Sequence, residues 1–199
     1  FENTYPECYQ VSSFVLNTLN PPEVITPTSL EYCDDDYDGI ITFFDLSLKT
    51  EEVLNGQTEI NVTYHETFED AEIGDNAITE LYTNTTAGFQ TLFVRLEDDE
   101  SGCVSTTTLD LLVNPIPEII VPTPIEECDD DYDGIVSFFD LSERTEEVLN
   151  GQTGIDVTYH ETLEEAENGE NAITDLYTNT TADLQTVFIR LENSETACS

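Results

Sequence analysis

Residues 33–47 read CDDDYDGIITFFDLS, and residues 128–142 repeat them almost unchanged as CDDDYDGIVSFFDLS. The match extends beyond this stretch, because residues 33–103 align with 128–198 without a gap and 52 of the 71 aligned positions are identical. The segments that precede the two copies match as well, so the chain follows a period of 95 residues (128 minus 33). This period is a common size for one β-sandwich domain and predicts two modules in tandem.

The composition restricts the classes of partner. The 199 residues include 44 Asp and Glu but only 4 Lys and Arg, which gives a formal net charge of −40. Such a chain repels nucleic-acid backbones and anionic membrane surfaces, and no run is apolar enough to span a membrane. We therefore expect neither a nucleic-acid partner nor membrane insertion. Hydrophobic residues at 38% and aromatic residues at 10% favour a folded chain over a disordered one.

Strand patterns dominate each period. INVTYHET, TLFVRLE and STTTLDLLV are rich in β-branched and aromatic residues and alternate with a period of two. LKTEEVLNG and TFEDAEIGDNAI are typical of short helical turns. The predicted fold is mostly β, with two tandem immunoglobulin-like β-sandwich modules that carry short helical turns and follow an extra N-terminal strand.

The boundaries of the repeat place a donor-like strand at residues 1–20, module 1 at 21–115 and module 2 at 116–199. Module 2 lacks the final strand that module 1 has after Cys103, and residues 9–20 resemble that strand. We expect residues 9–20 of one copy to fill the vacant position in the next by strand addition, which yields a head-to-tail homopolymer. Phe14, Leu16 and Thr18 match the alternating Leu109, Leu111 and Val113, and Val11 is the fourth residue assigned to the donor strand.

The acidic loop has the spacing D-x-D-x-D-G with a further carboxylate at position 12. This is the ligand spacing of an EF-hand calcium loop, in which position 7 contributes a backbone carbonyl. The flanking sequences favour strands, so we expect calcium to have a structural role and not that of a sensor. A solvated acidic turn is the alternative. The predicted Ca²⁺ ligands are Asp34, Asp36, Asp38, Ile40 and Asp45 in the first copy, and Asp129, Asp131, Asp133, Ile135 and Asp140 in the second.

The five cysteines lack the C-x-x-C spacing of zinc sites and indicate disulfides in an oxidising, extracellular setting. Pairing inside each module predicts Cys33–Cys103 and Cys128–Cys198, which leaves Cys8 free or bonded elsewhere. The alternative is Cys8–Cys33 with Cys103–Cys128.

No catalytic constellation stands out, so an enzyme is not expected. His65-Glu66 begins like a zincin motif, but residue 69 is Glu where the motif needs His. Three N-x-T sequons could carry N-linked sugar. Their asparagines are Asn61, Asn84 and Asn179.

The motifs CDDDYDGIITFFDLS, EEVLNGQT, VTYHET, YTNTT and FVRLE together resemble the tandem modules of very large secreted surface proteins of flavobacteria and their Bacteroidota relatives. The resemblance implies immunoglobulin-like modules, export by the type IX route and an adhesin-like role at the cell surface.

The expected function is that of a structural subunit of an extracellular, calcium-stabilised filament or adhesin stalk, with surface glycans as a further partner. The alternatives are a segment of a long tandem-repeat adhesin and a carbohydrate-binding accessory module of a secreted enzyme. The near identity of the two copies favours the stalk. The absence of Trp argues against a sugar-binding platform.

Overall fold

A computed structural model describes residues 10–199. Module 1 contains four strands, which form one sheet in the spatial order β1, β4, β3, β2. The strands are β1 (Leu30–Cys33), β2 (Ile60–His65), β3 (Phe89–Asp98) and β4 (Val104–Asn114). Strand β4 pairs in parallel with β1 and antiparallel with β3, so it connects the two parts of the sheet.

The alternation of β4 explains its central position. Leu109, Leu111 and Val113 are buried, while the residues between them are partly exposed. Their side chains pack with Leu92 and Val94 from β3 and with apolar residues from the loops in one core cluster. The strand predicted from STTTLDLLV is therefore confirmed, and its period of two decides which side chains enter the core.

Short helices lie in the connections of module 1. A 3₁₀ turn (Leu46–Lys49) continues into α1 (Thr50–Leu54), which ends because Asn55 adopts a left-handed conformation. Helix α2 (Phe68–Ile73) begins after Thr67, whose side chain accepts a hydrogen bond from the Asp70 backbone. Both predicted helical turns are confirmed.

Module 2 repeats these connections but contains a smaller sheet. Its elements are a 3₁₀ turn (Leu141–Arg144), α3 (Thr145–Leu149), β5 (Ile155–His160), α4 (Leu163–Asn168) and β6 (Phe188–Asn193). Strands β5 and β6 pair only with each other. Residues 125–128 and 184–187 correspond to β1 and to the start of β3, yet they form no strand. In module 1 both of these segments pair with β4, and no described residue takes its place in module 2.

The mostly β class with short helices is confirmed. The described residues of module 1 form a single sheet, so a two-sheet immunoglobulin-like sandwich is not confirmed. The described part of the predicted donor strand, residues 10–20, forms no strand and is exposed throughout. Among residues 10–199, no helix has the length and apolar character needed to cross a membrane.

Candidate functional site: a disulfide, two acidic loops and an open groove

A disulfide joins the two modules. Cys33, the last residue of β1, is bonded to Cys198 near the end of module 2, with 5.5 Å between their Cα atoms. The predicted pairs Cys33–Cys103 and Cys128–Cys198 are therefore wrong. Cys103 is half-buried and unpaired, and Cys128 is exposed and unpaired. Cys8, and with it the Cys8–Cys33 alternative, lies outside the described residues.

The register of the sheet explains why Cys33 cannot reach Cys103. Because β1 and β4 are parallel, Cys33 lies beside Asn114 at the end of β4. Cys103 precedes the start of β4, which is 11 residues long. At a rise of about 3.3 Å per residue, the two cysteines lie about 35 Å apart, whereas a disulfide needs Cα atoms within about 7 Å.

Tyr37 makes a second contact between the modules. Its hydroxyl donates a hydrogen bond of 3.0 Å to the carbonyl oxygen of Pro117, at the start of module 2. Tyr37 also lines a cavity of about 320 Å³ together with Pro117, Leu163 and Glu167. Tyr37 was not predicted from the sequence as a contact residue. A signal was present, because a tyrosine stands at the tip of each acidic loop (Tyr37 and Tyr132), where its side chain is not needed to bind a cation.

The first acidic loop gathers three carboxylates. One oxygen each of Asp34, Asp36 and Asp38 lies within 4.8 Å of the other two. Each carboxylate also accepts hydrogen bonds from the backbone of its own loop, such as 2.9 Å from Gly39 to Asp34 and 2.6 Å from Ile40 to Asp38. The loop is therefore held in a turn that points three carboxylates towards one centre.

The second loop repeats the arrangement with Asp129, Asp131 and Asp133. A backbone hydrogen bond from Gly134 lowers the pKa of Asp129. At Asp131 the backbone N–H of Asp133 lowers the pKa, but repulsion from the Asp133 carboxylate and partial desolvation together raise it above its usual value. The pKa of Asp36 is raised in the same way: the Asp38 N–H lowers it, and desolvation and the Asp38 carboxylate outweigh that effect.

The predicted ligands at position 12 do not join these clusters. Asp45 caps the 3₁₀ turn that follows it, and its Oδ1 accepts bonds from the backbone N–H (3.1 Å) and the hydroxyl (2.6 Å) of Ser47. Asp140 makes the same two contacts with Ser142. Position 12 is thus occupied by a helix cap in each module. At position 7, the described contacts of Ile40 and Ile135 are those of their N–H groups, which donate to Asp38 and Asp133.

Asn84 anchors the acidic loop to the YTNTT loop. Its Oδ1 accepts from the N–H of Ile41 (2.6 Å), and its Nδ2 donates to the carbonyls of Gly39 (2.8 Å) and Thr86 (2.9 Å). The side chain is buried, and Asn179 repeats all three bonds in module 2. A glycan on either asparagine would have to displace these bonds. Asn61 in contrast is exposed on β2.

Gly39 explains the close fit between the two loops. Its φ is +74°, and a Cβ at this position would lie 2.9 Å from the backbone nitrogen of Gly88. Gly134 has the same conformation and the same proximity to the opposite loop. The glycine of D-x-D-x-D-G is therefore required by the turn and by the packing against the YTNTT loop, whether or not a cation binds.

An apolar groove of about 510 Å³ lies in module 2 beside β6. Its position corresponds to that of β4 in module 1, because it is bordered by the equivalents of β1 and β3. One side chain that lines the groove, Leu184, is 82% exposed to solvent. The apolar residues that line the groove include Ile125, Phe139, Tyr177, Leu184, Val187 and Ile189.

The segment equivalent to β4 at the start of the chain is exposed. Phe14 and Leu16 are 84% and 85% exposed, and Val11 is 83% exposed. In the repeat, Phe14 corresponds to Leu109 and Leu16 to Leu111 of β4. Val11 corresponds to Thr106, and Thr18 corresponds to Val113. The structure therefore contains an apolar groove that lacks a strand and an exposed apolar segment that lacks a sheet, and it does not bring them together within one copy.

Comparisons with known proteins give one match. The sequence profile described as the Flavobacterium inter-domain disulphide bond domain matches twice, at residues 29–117 and at residues 124–199. The two matches cover one module each. No curated protein and no solved structure matches the chain.

Proposed function

Because the chain belongs to the family of Flavobacterium inter-domain disulphide bond domains, and its modules are joined by such a bond, we propose that it is a structural unit of an extracellular fibre or stalk. Successive units are joined head to tail by strand addition: a segment equivalent to residues 9–20 fills the groove of the preceding module 2. The family match and the Cys33–Cys198 bond both indicate that the chain is a structural tandem module.

The single observation that supports strand addition is the unfilled equivalent of β4. In module 1 this strand completes the sheet and contributes three buried apolar side chains to the core. In module 2 the same position is a groove; the equivalent of β1 forms no strand, and the equivalent of β3 is shortened to β6. Unpaired backbone groups and exposed apolar side chains next to a sheet edge favour the addition of a strand.

The register follows from the repeat. In module 1 the residues of β4 pair with β3 on one side and with β1 on the other. By the same pairing, Phe14 of the incoming segment lies opposite Val187, and Leu16 lies between Gln185 and Ile125. Groove and segment lie on different parts of the chain, so the contact is heterologous and leads to an open series of units.

Calcium and the extracellular location complete the proposal. Three converging carboxylates per loop repel one another, as the raised pKa values of Asp36 and Asp131 reflect, and a bound divalent cation would remove that repulsion. An inter-module disulfide is typical of proteins in oxidising compartments, which supports an extracellular location, and the resemblance to flavobacterial surface modules implies export by the type IX route.

The test uses the whole chain with Cys8, Cys103 and Cys128 replaced by Ser, so that stray disulfides cannot imitate assembly. The variant Phe14→Asp with Leu16→Asp places two charges on the face that enters the groove. The matched control, Val15→Asp with Asn17→Asp, adds the same charge to the opposite face, where β4 itself has Asp110 at the equivalent of Val15.

Assembly is measured by sedimentation velocity and electron microscopy over a range of concentrations. We expect the parent and the control to form linear assemblies and the inward-facing variant to remain monomeric. An excess of a peptide with the sequence of residues 9–20 should shorten the assemblies. Equal assembly by the inward-facing variant would refute strand addition.

A further inference from the structure

We propose that Asn61 is a modification site, the acceptor of an N-linked glycan, and that Glu59 takes part in its recognition. The site belongs to module 1 alone. The inference requires export of the chain, because N-linked sugars are attached to exported proteins, but it is independent of strand addition. The observations that carry it are the surroundings of the three sequons and a difference between the two modules at one turn.

The three sequons differ in the access that they give to a transferase. Asn84 and Asn179 are buried, and their side-chain oxygen and nitrogen atoms bond to the backbone of the acidic loops. Asn61 is exposed, and its strand β2 lies at the edge of the sheet, where it pairs on one side with β3. An enzyme therefore reaches the amide of Asn61 in the folded module, whereas the other two amides are engaged in hydrogen bonds.

The hydroxyl of this sequon belongs to Thr63 and is bonded to Nε2 of His65 (2.8 Å). Nδ1 of His65 lies 2.7 Å from the Asp75 carbonyl oxygen, which only accepts, so Nδ1 carries the hydrogen of the neutral ring and Nε2 accepts from Thr63. Thr63 is the fourth of the six residues of β2. Binding of the sequon by a transferase thus requires only the first part of an edge strand to separate from β3, which is a local opening and leaves the core intact.

A turn directly before β2 distinguishes the two modules. Glu59 and its equivalent Gly154 both have a positive φ, 60° and 72°, and the carbonyl oxygen of each accepts a bond of 2.9 Å, from the N–H of Asp99 and of Ser194 respectively. Gly adopts this left-handed conformation freely, whereas Glu is strained in it. Module 1 thus keeps a strained, exposed carboxylate where module 2 has the unstrained residue.

The strained residue accompanies the sequon. Module 1 reads EINVT at residues 59–63, and module 2 reads GIDVT at residues 154–158, so the copy with Glu has the acceptor Asn and the copy with Gly has Asp156. Strained backbone positions occur preferentially at functional sites. A carboxylate two residues before the acceptor gives a transferase a charged group that an Arg or Lys side chain can bind. This role accounts for a Glu at a position whose conformation favours Gly.

The transfer step uses a sugar carried on a polyisoprenyl diphosphate. Nδ2 of Asn61 attacks C1 of the sugar, the bond between C1 and the diphosphate oxygen breaks, and the lipid diphosphate leaves with the electron pair. One proton of the amide passes to a base of the transferase. The oligosaccharide then stands at the free edge of the sheet, where it blocks pairing with a strand of another chain. In module 2, Asp156 places a charge at the equivalent point of the edge strand β5, which opposes the same pairing.

The first measurement is peptide mapping by mass spectrometry of the whole chain, purified from the cells that produce it naturally. We expect a glycan on the peptide that contains Asn61 and no glycan on the peptides that contain Asn84 and Asn179. An unmodified Asn61 in this material would overturn the inference.

The second measurement isolates the contribution of Glu59. The folded whole chain is incubated with a bacterial oligosaccharyltransferase and a lipid-linked oligosaccharide, and the initial rate of transfer is followed by electrophoretic mobility. Asn61→Gln should abolish transfer. Glu59→Gln keeps the size of the side chain and removes its charge, so it should lower the rate about tenfold, the effect of one hydrogen bond to a charged group.

Module 2 supplies the matched control, in an Asn61→Gln background. Asp156→Asn completes a sequon behind Gly154, and Asp156→Asn with Gly154→Glu copies the arrangement of module 1. A Cβ at Gly154 has the Ser194 Oγ, at 3.8 Å, as its nearest neighbour, so the larger side chain fits. We expect slow transfer to the first variant and transfer about tenfold faster to the second.

Equal rates for the two module 2 variants, or transfer to Asn84 in the folded chain, would overturn the inference. Either result leaves strand addition intact, because the substituted positions lie outside residues 9–20 and outside the groove of module 2.

Discussion

Reduction of the Cys33–Cys198 bond should change how the chain carries tension. The bond joins residues 165 positions apart in sequence, with their Cα atoms 5.5 Å apart. A pull on the two ends of the chain therefore passes from residue 33 directly to residue 198. The residues between them, which include strands β2 to β6, lie outside the covalent load path.

The lengths can be worked out from the chain. A fully extended residue spans about 3.5 Å, so the segments outside the disulfide loop reach about 120 Å in the oxidised chain. After reduction the whole chain reaches about 690 Å by the same measure. Loss of one bond should thus increase the maximum extension nearly sixfold.

Single-molecule pulling with handles at both ends measures this directly. The background carries Cys8, Cys103 and Cys128 as Ser, so that the bond of interest is the one disulfide that can form. We expect the oxidised chain to stop near 120 Å. The reduced chain, or a Cys198→Ser variant without reductant, should unfold in steps to the full length. Extension of the oxidised chain well beyond that limit would refute the load path.

Three further predictions concern stability. With calcium at tenfold its dissociation constant, each occupied loop should add about 1.4 kcal/mol to the free energy of unfolding. EDTA should therefore lower the melting temperature, and Asp36→Asn with Asp131→Asn should remove most of that effect. Identical melting curves with EDTA and with millimolar calcium would contradict a calcium site. Asn84→Ala leaves buried backbone groups without partners and should lower the free energy of unfolding of module 1 by about 2–3 kcal/mol, measured by urea denaturation. The control Asn61→Ala, at an exposed position, should cost under about 0.5 kcal/mol. Equal losses would contradict the role of Asn84 in anchoring the acidic loop. Arg95 donates hydrogen bonds to the carbonyl oxygens of Ala71 and Glu72 in α2. Arg95→Ala should therefore lower the free energy of unfolding by about 2–3 kcal/mol in urea denaturation. A loss below about 0.5 kcal/mol would contradict a stabilising role for these bonds.

Local features of the fold were predictable because they depend on neighbours in sequence. The alternation of STTTLDLLV buries Leu109 and Leu111, and Asn55-Gly56 ends α1, as expected from the conformational preferences of these residues. The D-x-D-x-D-G spacing gathers three carboxylates in each loop. The role of Asp45 was not predictable from spacing alone, because an Asp before Ser47 suits a helix cap as well as a cation.

The repeat by itself determined that two equivalent modules exist and which cysteines are equivalent. It could not determine which cysteines bond, since pairing within a module and pairing with the next module both respect a 95-residue period. The parallel alignment of β1 with β4 decided the question, because it separates Cys33 from Cys103 by the length of a strand and leaves Cys33 where module 2 ends. In the same way, the sequence indicated a spare strand, but only the tertiary structure identified the empty position as the centre of a sheet, between the equivalents of β1 and β3, where its absence also unpairs both neighbouring segments.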